Sequence, residues 1–248
     1  MTETSSTGPR LERVTLAVRE HAPDLLDAAA ELARDLQAEL AALFVEDRTL
    51  LRVAALPITR EIGRVSGVAR AFDLPDLERV LRRQAEQLRE QLAATAQAAS
   101  LAWSFEVRRG DLLEQALALL APEQAVVLGR RAPAAPREHA PIAAVLDATD
   151  TELRALQVAL RLAGDQPLTV LLTGAEPAWE ARRAQVERAL AAGATRPRIE
   201  LVPEGELPRL AHTRRARIVV ASGTILRADR DALAALLDAI AAPLILVG

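Results

Sequence analysis

The chain repeats itself. Laid on its own sequence with a shift of 128 positions and no gap, it places Val14 on Ile142, Val18 on Leu146, Leu25 on Leu153 and Leu32 on Leu160. The same shift puts Leu40 on Leu168 and Leu43 on Leu171. Farther on, Gly110-Asp111-Leu112 answers Gly205-Glu206-Leu207, and Ala125 to Leu128 answers Ile218 to Ala221. Few positions are identical, but apolar, polar and glycine sites agree through most of a domain, which is the mark of an internal duplication. Such a chain folds as two copies of one unit.

The unit can be read from the first copy. Val14 to Val18 is a short β-rich apolar run, and Pro23 and Asp24 then open a helix with Leu25, Ala29, Leu32, Ala33 and Leu36 on one face. Leu40 to Val45 is a second strand. Glu46 to Asp73 shows no long period, and Asp76 to Ala99 is a long helix striped by Leu77, Val80, Leu81, Leu88 and Leu92. A strand (Leu101 to Val107), a helix (Asp111 to Leu120) and a strand (Ala125 to Leu128) follow. Strands alternating with helices predict a parallel sheet with right-handed crossovers.

The copies differ at their ends. The second opens its first helix with a capping box at Thr149 and Glu152. After its fourth strand it continues through a helix (Arg227 to Ile240) to a fifth strand, Pro243 to Val247. The first has only Arg130 to Ala140 before the repeat begins, and Pro133, Pro136 and Pro141 lie in and just after that stretch. The first domain therefore reads as truncated, without its last helix and strand. The resulting division is a frayed tail over 1–10, a first domain over 11–138 and a second over 139–248.

Composition removes several kinds of chemistry. There is no cysteine, so disulfides, thiolate metal sites and cysteine nucleophiles are excluded. There is also no Lys, which excludes a Walker-type lysine and a Schiff base. The net charge of −3 argues against a duplex nucleic-acid partner, and the arginines reflect a G/C-rich coding bias. No apolar run approaches a membrane span, and the polar start of the chain lacks a signal-peptide core. A cytoplasmic protein is expected.

Particular residues then point to a family. The fourth strand of the first copy ends in Leu128-Gly129, and a Gly-Asp pair follows the third. The stretch Leu43-Phe44-Val45-Glu46-Asp47, with Leu50-Leu51-Arg52, Ala55-Leu56-Pro57 and Arg60-Glu61, resembles an insert of certain two-domain universal stress proteins. So does Trp103 to Gly110, which matches their third strand and turn. From Leu11 onward the chain resembles a tandem member of that family. The resemblance implies two Rossmann-like α/β domains, of the adenine nucleotide alpha hydrolase-like type, with parallel sheets.

Members of this family that bind ATP carry an acidic residue after the first strand and a Gly-x2-Gly-x9-Gly-Ser/Thr loop after the fourth. The glycines let backbone N–H groups approach phosphate, and the helix behind favours negative charge. Here the acidic position of the first copy matches Arg19, and the loop reads Gly129-Arg130-Arg131-Ala132. The second copy keeps Asp147 at the end of its first strand, but its loop reads Ser222-Gly223-Thr224-Ile225-Leu226-Arg227. By pattern neither copy holds a phosphate cradle, so no cofactor is expected. The alternative is that Asp147, Ser222, Gly223 and Thr224 still bind ATP or AMP in an altered geometry.

Each candidate also has a plainer reading. Asp147 at a strand-to-helix turn is well placed to cap backbone groups, and Ser222 to Thr224 to form an ordinary turn. Arg130 and Arg131 stand where phosphates would lie, yet read first as solvated charge. His21, His139 and His212 match no helix-spaced metal pair. Glu46 and Asp47 are adjacent on a strand, point to opposite faces and are assigned to the surface. Ser66 in Gly63 to Gly67 has no charge-relay partner.

No catalytic set remains. The expectation is a non-enzymatic, stress-associated regulatory or scaffolding protein with a possible protein partner. The apolar insert over Arg48 to Ala71 is expected to cover the sheet edge that the truncation opens, with a partner surface as its alternative. The apolar strand Leu244 to Val247 is expected to pair two subunits, as it often does in the family.

Overall fold

A computed structural model describes residues 11–62, 67, 69–71, 73–129, 140–147, 153–173, 178–191, 197–202, 216–223, 230–240 and 242–248. The first strand, β1 (Arg13–Val18), is buried along almost its whole length. Helix α1 (Pro23–Leu36) has Pro23 in its first turn, where a missing N–H costs nothing. It buries Leu25, Leu26, Ala29, Leu32, Ala33 and Leu36, the stripe that its sequence displays. It stops at Gln37, whose left-handed φ of 54° lets the next N–H, that of Ala38, return to the Ala33 carbonyl at 2.9 Å. Strand β2 (Glu39–Asp47) then runs parallel to β1.

The segment without a long period holds a seven-residue helix, α2 (Arg48–Ala54), and an antiparallel pair, β3 (Arg60–Ile62) with β4 (Ala69–Ala71). Next come α3 (Leu74–Ala98), β5 (Trp103–Gly110), α4 (Leu112–Ala118) and β6 (Gln124–Leu128). The second half supplies β7 (Ile142–Asp147), α5 (Arg154–Ala163), β8 (Leu168–Thr173), α6 (Ala178–Leu190) and β9 (Arg198–Val202). It continues with β10 (Ile218–Ser222), α7 (Arg230–Ala239) and β11 (Leu244–Val247). The capping box at Thr149 and Glu152 lies outside the described residues, as does Gly205 to Leu207.

All long strands join one nine-stranded sheet in the order β5-β2-β1-β6-β11-β10-β7-β8-β9. The two parallel sheets expected from the sequence are thus two parallel blocks of a single sheet. The register follows the sequence repeat: Val14 pairs with Leu40 in β1–β2, and Ile142 pairs with Leu168 in β7–β8, each residue shifted by 128. Val14 also faces Ala125 in β6, just as Ile142 faces Ile218 in β10.

The blocks meet at β11. It runs parallel to β10 and antiparallel to β6, with Leu244 opposite Leu128 and Val247 opposite Ala125. The place beside β6 where a fifth strand of the first half would lie is therefore filled by the fifth strand of the second. This corrects two expectations. The edge of β6 is closed by β11 and not by the insert, which packs against α3 through α2. Nor does β11 offer an edge for pairing two subunits, because both of its edges are hydrogen-bonded within the chain.

Side chains alternate across the sheet into two cores. One holds Val14, Leu16 and Val18 of β1 with residues of α1, α3, α5 and α6. The other holds Ala17, Leu43, Val126 and Val145 with Leu112, Ala116 and Leu120 around α4 and Leu233 and Leu236 of α7. The two halves are related by a half-turn in the plane of the sheet, which keeps equivalent helices on one face. That relation sends the carboxyl ends of the two strand blocks to opposite ends of the molecule. Among the described residues no helix is long and apolar enough to cross a membrane.

Candidate functional site

In an open parallel sheet the ligand crevice forms outside the carboxyl ends of the strands, where neighbouring strands send their connections to opposite faces. In the first half that point lies between β1 and β6. A cavity of about 420 Å³ opens there. The apolar part of its wall comes from Leu50 of α2, Leu77, Val80 and Leu81 of α3, and Leu112 of α4. Its polar groups are Arg19 and Glu20 just after β1, Asp47 at the end of β2, and Gln84 of α3.

Asp47 organises the mouth. As N-cap of α2 it accepts hydrogen bonds through Oδ1 from the backbone N–H groups of Thr49 (2.8 Å) and Leu50 (3.2 Å). Its Oδ2 accepts from Arg19 Nη1 at 3.0 Å. Burial pushes the carboxyl up, but the N–H donors of Leu50 and Thr49 together with Arg19 outweigh it and hold Asp47 below the usual carboxylate range. Glu46 turns the other way and accepts from Arg109 Nε at 2.7 Å. The opposite orientations match the sequence reading. The surface assignment is corrected, because the Glu46 side chain is only 12% exposed and Asp47 caps a helix.

The surviving glycine of the first loop, Gly129, is used for packing. A β-carbon there would lie 2.7 Å from Cδ2 of Leu25 on α1. A side chain at this position would have to displace the methyl groups of Leu25. Arg130 and Arg131 lie outside the described residues. His21 faces Gln91 of α3, with Nε2 2.5 Å from Oε1, which ties the turn after β1 to the long helix.

The second half treats its equivalent point differently. Asp147 ends β7 opposite Thr173 of β8; its side chain lies outside the described set. Thr173 Oγ1 donates to the Leu146 carbonyl at 3.2 Å. Ser222 is buried at the end of β10. A β-carbon on Gly223 would lie 2.7 Å from Leu120 Cδ1 and 3.1 Å from the Val247 carbonyl oxygen. Leu120 belongs to the first half, and the antiparallel junction brings it here. Gly223 is thus brought against a first-half leucine, while Thr224, His139, His212 and Ser66 lie outside the described residues. Among the described residues no group of His, Asp and Glu is placed to hold a metal.

Sequence reasoning missed two polar ties between the halves. Arg154, at the start of α5, donates from Nη1 to the Pro122 carbonyl at 2.6 Å and to the Gly248 carbonyl at 3.3 Å. Arg230 Nη2 lies 2.8 Å from Oδ1 of Asp111, the N-cap of α4. Neither follows from local pattern, since both depend on the register of β6 with β11. The capping role of Asp47 did have a signal, an Asp directly before Arg48-Thr49-Leu50 at the end of a strand.

No protein-family model matches the chain, and no curated protein matches it in sequence. Among solved structures, a universal stress protein from Archaeoglobus fulgidus aligns with a TM-score of 0.58 at 11% identity, over 97% of this chain and 97% of that one. A putative universal stress protein from Pseudomonas aeruginosa matches 96% of this chain and 93% of its own, at 18% identity and a TM-score of 0.46. The first alignment runs nearly end to end in both chains. The fold of this chain is that of the universal stress proteins.

Proposed function

We propose that the protein is a cytoplasmic, non-enzymatic member of the universal stress protein group that acts in regulation or scaffolding through a partner, without ATP. One observation carries the reading. Arg19 stands at the position that the resemblance assigns to the acidic nucleoside contact, and its guanidinium is engaged by Asp47. A nucleoside would lose the carboxylate that holds it and would have to compete with an ion pair. Leu25 against Gly129, and Leu120 against Gly223, support the same reading at the two phosphate positions. The insert offers a surface for a partner, with Leu50, Val53, Leu56, Ile58 and Ile62 all substantially exposed.

Calorimetric titration with ATP and AMP, after chromatography of the denatured protein for carried-over nucleotide, tests this. No ligand and no heat at millimolar nucleotide is the expected result. Tight binding lost in Asp147→Ala would overturn it in favour of a nucleotide sensor built on the second half. Turnover by the purified protein, abolished by the same substitution, would overturn the non-enzymatic part.

A further inference from the structure

We infer that the crevice between β1 and β6 is a binding site for an uncharged, largely apolar small molecule that offers a hydrogen-bond acceptor to Arg19. The inference rests on the reading that this crevice does not take nucleotide. Its volume, about 420 Å³, falls within the range of small-molecule sites. Leu77, Leu81 and Leu112 form an apolar wall on one part of it, and Leu50 and Val80 extend that wall to the rim, 44% and 47% exposed. Such a wall gains free energy by covering an apolar body and gains nothing from a polyphosphate.

The polar groups narrow the class. Arg19 has five N–H donors, and among the described residues its one partner is Asp47, through Nη1. The other donors remain for a ligand carbonyl or hydroxyl. Gln84, partly buried, adds an amide on the same wall. Charge sets the sign. Among the described residues Arg19 is neutralised by Asp47, and Glu20 adds a carboxylate at the same mouth, so these groups offer an anion no net positive charge. A ligand with an apolar ring system and one or two acceptors fits that inventory; a nucleoside triphosphate does not.

The probe is prodan, an uncharged naphthyl ketone whose emission moves to the blue in dry surroundings. Titration of the full chain should give saturable binding with a blue shift. Val80→Arg and Leu50→Arg each change a half-exposed rim residue, so the fold is retained, and each should weaken binding about tenfold or more. Arg19→Met should weaken it and reduce the spectral signature of a hydrogen-bonded ketone. Val107→Arg, on the β5 edge, should bind as the parent does.

Absence of saturable binding, or equal binding by both rim variants, overturns the site and leaves the nucleotide calorimetry standing. Displacement of the dye by millimolar ATP overturns both the ligand class and the ATP-free reading.

Discussion

Leu120 closes over Gly223. The leucine belongs to the segment after α4 in the first half and the glycine to the end of β10 in the second, yet a β-carbon on Gly223 would come within 2.7 Å of Leu120 Cδ1. Gly223→Ala should therefore destabilise the protein by about 1–3 kcal/mol through overpacking. Leu120→Ala should cost about 2–5 kcal/mol on its own. The double variant should be more stable than the sum of the two predicts, because the smaller residue makes room for the methyl. Urea denaturation of the four proteins measures the coupling, and strict additivity would mean that the contact is not made.

The shared strand makes a second prediction. The two tryptophans report on different halves, Trp103 on β5 and Trp179 on α6. Single-tryptophan variants should unfold with coincident midpoints in denaturant, since opening β11 uncovers both β6 and β10. Two separated transitions would show that the halves are independent folding units.

Asp47 links the crevice to pH. Its carboxyl ionises below the range of an unfolded Asp, about 3.9, so the unfolded chain binds the proton more readily. The stability this contributes is fully present above that range and is lost as pH falls through the lower, folded value. Asp47→Ala, which also removes the cap of α2, should cost about 1 kcal/mol near neutral pH. The difference between Asp47→Asn and the parent should shrink toward strongly acid pH. A difference that stays constant with pH would count against the ionic part.

Arg154 fastens the second half to the first through the Pro122 carbonyl, and also donates to the Gly248 carbonyl of its own half. Arg154→Met keeps the apolar stem and removes the charged donor. It should lower stability by about 1–2 kcal/mol, and calorimetric unfolding is the check.

The outer strands carry matching ion pairs two residues apart. Glu106 pairs with Arg108 on β5, and Arg198 with Glu200 on β9. These charges blunt edges that pair with no further strand among the described residues and that also show Trp103, Val107 and Leu201. Replacing Glu106 and Arg108 together by Val should leave the fold intact and raise light scattering on gentle warming. Unchanged scattering would mean that the edge is protected in another way.

Much of this was legible in the chain. The stripe of Leu25, Leu32 and Leu36 and the Pro23 start located α1, and the shift of 128 carried the strand register without adjustment. What stayed hidden was short or distant. Helix α2 spans two turns, and β3 and β4 have three residues each, too few to show a period. The pairing of β11 with β6 is a choice between two apolar strands far apart in sequence, and apolarity alone does not say whether the partner is in the same chain. The exposed insert was assigned to the open edge for that reason.

That pairing also sets the order in which the molecule can be finished as it leaves the ribosome. Residues 124–128 are made long before residues 244–247, and until the latter emerge β6 has an unpaired apolar edge. The first half cannot settle ahead of the second, as the leading unit of a multidomain chain commonly does. A nascent chain of this protein thus carries that open edge while its whole second half is being made. A shortened product lacking β11 would leave two open edges, on β6 and on β10, and would be a natural target for chaperones and proteases.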